Sequence, residues 1–343
     1  MFLMMKTLTL ITLCAVLTGC QRPHHATEGD TAVGDSIALT LPTRESDVYN
    51  QGKTEARWIY ALCACIEHEA CLRGDSVVLS RQWLLSHLLE EQAMERYEIL
   101  SQGGAVADGG GRGTLSARGV GPDALRLIDE YGLVPYQHER SRIGNSRVLQ
   151  RRLALLVDNA VAHKMPLQGL RERMSELLPR FTVVRHSRLT HHYAEEERES
   201  FYYLSMRYTP AQFAESVMYC QQWRWYASDE GHPWGKNFAL EVPDNRRYHK
   251  YANVPMPELL RMVKESLGEG HAVYWEMGRK ASRQRQGGGA ASDHAMAIVG
   301  MKDGRFVCLN SYGTDWGHDG CCLVTEEYFV RHTCNVGIIE ITQ

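Results

Sequence analysis

The chain has 343 residues, 44% of them hydrophobic, and a formal net charge of −3. That length can bury a large core in one two-lobed domain or in two domains, and the charge excludes a general attraction to nucleic acid. The ten cysteines form neither a CxxC nor a zinc spacing, so no metal centre or cofactor is expected.

The first 19 residues read as a signal peptide: Lys6 is followed by an apolar run from Leu8 to Leu17. The run is too short to cross about 30 Å of bilayer core as a permanent helix. It ends in Leu17-Thr18-Gly19-Cys20, which resembles the lipobox of bacterial lipoproteins and implies a lipid on Cys20. Gln21 rather than Asp after that cysteine implies anchoring at the outer membrane, facing the periplasm. Residues 20–45 are polar and aperiodic and read as a tether. Within it His24-His25 is expected to be solvated rather than metal-bound. Residues 46–343 are the expected folded part, with a helical lobe over about 46–230 and a β-rich lobe over about 231–343.

A buried helix is expected over Trp58–Ala70, beginning near Glu55, because Trp58, Leu62, Cys65 and Ile66 recur at helical spacing. A second covers Ser80–Leu100 with Ser80 as its cap. The run "QGGAVADGGGRG" after it reads as a loop. "GPDALRLIDEYGLVPY" gives a helix with Pro122 in its first turn and Gly132 at its end. Residues 147–178 are expected to be helical, and 186–200 a polar insertion whose His191-His192 is solvated. From Asn237 onward "FALEVP", "HAVYWEM", "HAMAIVGM", "RFVCLNSYG" and "NVGIIEITQ" are short β-rich runs, interrupted by a helix over Met256–Leu267. Helices first and strands later argue for an α+β fold. No internal repeat is present.

Three separated segments carry the chemistry: Asn50-Gln51 ahead of a helix, His294 entering a strand in "DHAMAIVGM", and Asn310 in "NSYGTDWG". Two neighbouring strands would set the imidazole beside the amide, which is how a base is oriented. These segments, with "SVVLSRQWLL", "PDALRLIDEYGLVPY", "YTPAQFAE" and "ALEVPDN", make the chain from Asp47 onward resemble the papain-like cysteine peptidases, most closely the bleomycin hydrolase and aminopeptidase C branch. The resemblance implies a two-lobed papain-like fold with a cleft between its lobes. It makes Gln51 the oxyanion-hole amide, His294 the base and Asn310 the orienting amide. Glu55, Trp58, Tyr312 and Trp316 become cleft residues.

The nucleophile position falls on Arg57. Acyl transfer needs a deprotonated atom with an available lone pair, which a permanently protonated guanidinium lacks. Glu55 stands where the family has glycine, and Tyr312 where it has tryptophan. On a helix Cys63 lies about 9 Å along the axis from position 57 and Cys65 about 12 Å, too far to act in its place. Thr54 lies ahead of the helix.

The expected function is therefore a papain-like homologue that binds peptide or protein without cleaving it. The alternatives are an active peptidase with a misassigned nucleophile, or a scaffold with a vestigial cleft. Arg57 at a helix start also implies preference for a ligand with an anionic group, unless Glu55 neutralises it. Active members of the branch often carry a C-terminal arm that enters the cleft, and the end at Gln343, just after the last apolar run, suggests that it is missing.

Overall fold

The computed structural model describes residues 46–106, 111–188, 196–242, 244–278 and 292–341. The signal peptide, Cys20, both tether histidines and His191-His192 lie outside them. The N-terminal half supplies α1 (Arg57–Leu72), α2 (Arg81–Ser101), α3 (Gly121–Tyr131), α4 (Ser146–Ala162) and α5 (Leu167–Leu177). Local sequence sets their ends. The Ser80 hydroxyl accepts from the Trp83 N–H at 3.3 Å at the head of α2, and Asn145 Oδ1 accepts from the N–H groups of Arg147 and Val148 at the head of α4. Gly132 ends α3 at φ +68°, and a Cβ there would fall 2.1 Å from the Pro210 carbonyl carbon. Only glycine allows both the conformation and the approach.

Three short strands follow, β1 (Val184–Arg188), β2 (Glu196–Tyr203) and β3 (Met206–Tyr208), hydrogen-bonded in that order, and then α6 (Pro210–Val217). The stretch 186–200, expected as a polar insertion, is thus partly strand. Arg188 pairs with Glu196 and Val184 with Ser200, because backbone ladders satisfy N–H and C=O groups whatever the polarity of the side chains.

The larger sheet is built from β4 (Gln221–Ala227), β5 (Asn237–Ala239), β6 (Lys250–Asn253), β7 (Val273–Gly278), β8 (Ser292–Lys302), β9 (Arg305–Leu309), β10 (Cys321–Val324) and β11 (Thr333–Ile341), with α7 (Met256–Gly268) and α8 (Glu326–His332) between strands. Its order is β10-β9-β8-β7-β11-β4-β6-β5. Every pair is antiparallel except β4 with β6.

Helix α1 lies across β8 and β7 and is buried at every position from Trp58 to Ile66. One core therefore runs from α1 and the other helices to Ala295, Ala297 and Leu309, while a second, under α7 and α8, takes Met296, Ile298 and Cys308. Alternate residues of β8 and β9 feed the two cores, as a pleated strand requires. Among the described residues no helix is long and apolar enough to cross a membrane.

Two buried carboxylates pin α1. Glu69 accepts from the Ala272 N–H at 2.8 Å and lies 2.9 Å from His271 Nδ1, tying the helix to the chain entering β7. Glu67 receives both ends of the Arg81 guanidinium, one contact at 2.7 Å, and the Leu79 N–H at 2.7 Å. Arg81→Met alone is expected to destabilise the protein by about 3–5 kcal/mol, because it strands a buried charge, whereas Arg81→Met with Glu67→Leu should cost far less. Denaturant unfolding of both variants checks this.

Candidate active site

The segment before α1 folds on itself. The Gly52 N–H donates to Asn50 Oδ1 at 2.8 Å, Gly52 turns at φ +57°, and the Thr54 N–H and hydroxyl both donate to the Gln51 carbonyl, at 3.1 and 2.8 Å. This turn docks on the loop after β9. The Gln51 N–H donates to the Ser311 carbonyl at 2.9 Å, the Gly313 N–H to the Tyr49 carbonyl at 3.2 Å, and Asn50 forms a bridge with Tyr312. The fold thus joins segments 260 residues apart, and the Ser311 hydroxyl completes the joint by donating to Gln51 Oε1 at 2.6 Å. The other end of that amide, Nε2, donates to the Thr54 carbonyl at 2.8 Å.

His294 and Asn310 meet as the spacing implied. His294 Nε2 lies 2.6 Å from Asn310 Oδ1. The Ser311 N–H donates to the same Oδ1 at 2.7 Å. A backbone N–H can only donate, so that atom is the oxygen, Nε2 carries the hydrogen, and Nδ1 keeps the lone pair. The imidazole stacks on the Tyr312 ring at 5.3 Å, and Tyr312 meets Trp316 edge-on at 5.5 Å. Trp58, expected in the cleft, is instead a core residue, 1% exposed. Its indole N–H donates to the Ala117 carbonyl at 2.9 Å, and its ring fills the space beside Gly119.

Arg57 is the first residue of α1. Its guanidinium lies 3.2 Å from Asp244, a carboxylate whose side chain is 2% exposed, and Arg118 reaches the same carboxylate at 2.8 Å. Glu55 does not neutralise Arg57; it pairs with Arg147 at 2.8 Å. Arg246 adds a third guanidinium, donating to the Thr114 carbonyl at 3.3 Å. Burial lowers its pKa, Asp244 opposes that, and the neighbouring Arg118 charge lowers it further.

Asp244, Arg118, Arg246 and Ser311 belong to the site though motif spacing did not single them out. Asp244 lies inside "ALEVPDN", but its contact with Arg57 spans 187 residues.

Neither Cys63 nor Cys65 presents an accessible thiol. Cys63 and Cys65 are fully buried, which pushes the Cys63 pKa up to about 12 and that of Cys65 well above its ordinary value. Thr54 is buried, 3% exposed, and its hydroxyl donates to the Gln51 carbonyl. Among the described residues no group of three His, Cys, Asp or Glu side chains could hold a metal ion.

Burial, with a smaller contribution from charge, sets the state of His294. Burial lowers the His294 pKa to about 4; the Asn310 hydrogen bond opposes this, and the Arg57 charge lowers it further. Its folded pKa lies below the ordinary 6.5, so the unfolded chain takes up this proton first. The contribution of neutral His294 to stability is therefore complete above about pH 6.5 and falls as pH drops towards 4. An NMR titration should show His294 neutral at pH 7, its pKa rising in Arg57→Ala and falling in Asn310→Ala. A His294 pKa unchanged in Arg57→Ala would show that the cation does not act on the base.

The sequence matches no protein-family model and no curated protein sequence. Solved structures are similar to it. PepW from Lactobacillus rhamnosis HN001 superposes with a TM-score of 0.57, covering 88% of this chain and 81% of that chain at 16% identity. The Carica candamarcensis cysteine protease CMS1MS2 covers 88% of this chain and 95% of its own at 12% identity, with a TM-score of 0.35. The proform of the ragweed pollen cysteine protease Amb a 11 gives 9% identity, 89% and 67% coverage and a TM-score of 0.34. The first of these similarities carries the weight, and it is one of architecture. The chain has a papain-like, two-lobed α+β fold.

Proposed function

We propose that this protein is a papain-like homologue, lipid-anchored in the bacterial cell envelope, that binds peptide or protein and does not cleave it. One observation carries the reading. The first residue of α1, where the fold places a nucleophile in a cysteine peptidase, is a guanidinium engaged with a buried carboxylate. His294 keeps a lone pair on Nδ1 and an orienting amide, but it has no acidic thiol to deprotonate there. The anchor rests on Leu17-Thr18-Gly19-Cys20, and outer-membrane placement on Gln21. The active-peptidase reading finds no support in Cys63 or Cys65, the cysteines nearest position 57, because both are buried in α1.

The ligand should carry an anionic group. Arg57 and Arg118 both engage the buried Asp244 carboxylate, and Arg246 lies within the fields of Asp244, Arg118, Asp123 and Glu55. The three guanidinium groups are half-buried, where a charge interacts more strongly with an ion than in open water. One observation favours the scaffold reading instead. Both ends of the Gln51 amide are engaged internally, by Ser311 and Thr54, as in a satisfied structural polar group.

The two readings separate in one set of measurements on the folded domain. Aminoacyl and internal peptide reporters should remain uncut above buffer rates. Calorimetry should detect binding of free-acid or acidic peptides that weakens with salt and falls about tenfold or more in Arg246→Ala, a charge-assisted contact being worth about 1.5–3 kcal/mol. Equal, salt-independent affinity for amidated and free-acid peptides would remove the anionic preference. No binding at all would leave the scaffold, and reporter turnover abolished by labelling one cysteine would overturn the non-hydrolytic reading.

A further inference from the structure

The loop that carries Asn310, Tyr312 and Trp316 connects β9 to β10, and a cysteine stands on each side of its neck. Cys308 and Cys322 face each other directly in the antiparallel register. The Asn310 N–H donates to the Gly320 carbonyl at 2.9 Å, so the pair two residues down the ladder occupies the equivalent hydrogen-bonded position. In such pairs the Cα atoms are about 5.5 Å apart with both side chains on one face, within the Cα span of a disulfide. Closing the bond between the two cysteines, reduced in this structure, requires the strands to draw the Cβ atoms in from up to about 5.5 Å to about 4 Å. The core assignments agree independently. Cys308 belongs to the core under α7 and α8 and Cys322 packs against that same core. Cys321, which pairs with Leu309, points into the core on the other face. Parity along the strand thus selects one partner from two adjacent cysteines.

We propose that Cys308 and Cys322 close a disulfide at the neck of the loop that holds Asn310, Tyr312 and Trp316. Exposure sets the order of events. Cys308 is fully buried, whereas Cys322 is half-buried. The Cys322 thiolate attacks a small disulfide such as oxidised glutathione, forming a mixed disulfide and releasing one glutathione thiol. Cys308, giving up its proton, then attacks the Cys322 sulfur and releases the second. Two protein thiols are oxidised by two electrons, and the reagent is reduced to two thiols.

The bond would secure a loop rich in unusual backbone: Gly313, Gly317, Asp319 and Gly320 all have positive φ. Holding its two stems together fixes where Asn310 meets His294. The proposal is independent of whether the protein cleaves, binds or does neither.

The test uses the folded protein incubated with oxidised glutathione and then mapped by mass spectrometry without reduction. The expected product is a Cys308–Cys322 linked peptide, reversed by dithiothreitol, with Cys321 still open to alkylation after unfolding. Amide exchange across 309–321 should slow on oxidation in the wild type and not in Cys322→Ala, whose half-buried site tolerates truncation. Cys308 and Cys322 both recovered as alkylatable thiols after oxidation, or a linkage through Cys321, would overturn the assignment.

Discussion

The ion pair between Arg57 and Asp244 is the constraint on which the rest of the site depends. It joins the first turn of α1 to a chain segment 187 residues further on, and Asp244 is nearly sealed from water. A carboxylate in that place needs a cation. Arg57 provides one from the head of α1, and Arg118 provides a second. Arg57 is therefore a structural charge with a partner.

That charge reaches the surrounding ionisable groups. It holds down the pKa of His294, the reverse of what a neighbouring thiolate does, and it favours ionisation of Glu276. Burial dominates at Glu276 nevertheless, pushing its pKa up to about 7, while hydrogen bonds from Tyr274, Asn335 and the Gly121 N–H work in the opposite direction. Glu276 pairs with Ala295 across β7 and β8, next to His294. A carboxyl with a raised pKa and an imidazole with a lowered one thus sit on facing strands, and both respond to the cation at the head of α1. His294 and Asn310 are held as a hydrogen-bonded pair.

Much of this was legible in the sequence because it is local or lies in short motifs. Trp58, Leu62, Cys65 and Ile66 announce α1, Ser80 announces α2, and the strand runs around His294 and Asn310 place the imidazole beside the amide. Strand β4, inside the lobe expected to be helical, was not read although Trp223 and Trp225 alternate with Gln222 and Arg224, and its place between β11 and β6 is a matter of topology alone. The polar β1–β2 pairing hides because it is a backbone ladder. The partner of Arg57 was beyond reach for a different reason. Glu55 is two residues away and Asp244 is distant in sequence, and only the folded path of the chain shows that the near carboxylate turns to Arg147 while the far one turns inward.

The central claim is that position 57 has become a structural tie. A double-mutant cycle in denaturant unfolding, using Arg57→Ala, Asp244→Asn and the pair, tests it most directly. The account expects each single substitution to destabilise the fold and the double to cost less than their sum, with a coupling of about 1–3 kcal/mol. Additive effects, with no coupling between the two positions, would contradict it.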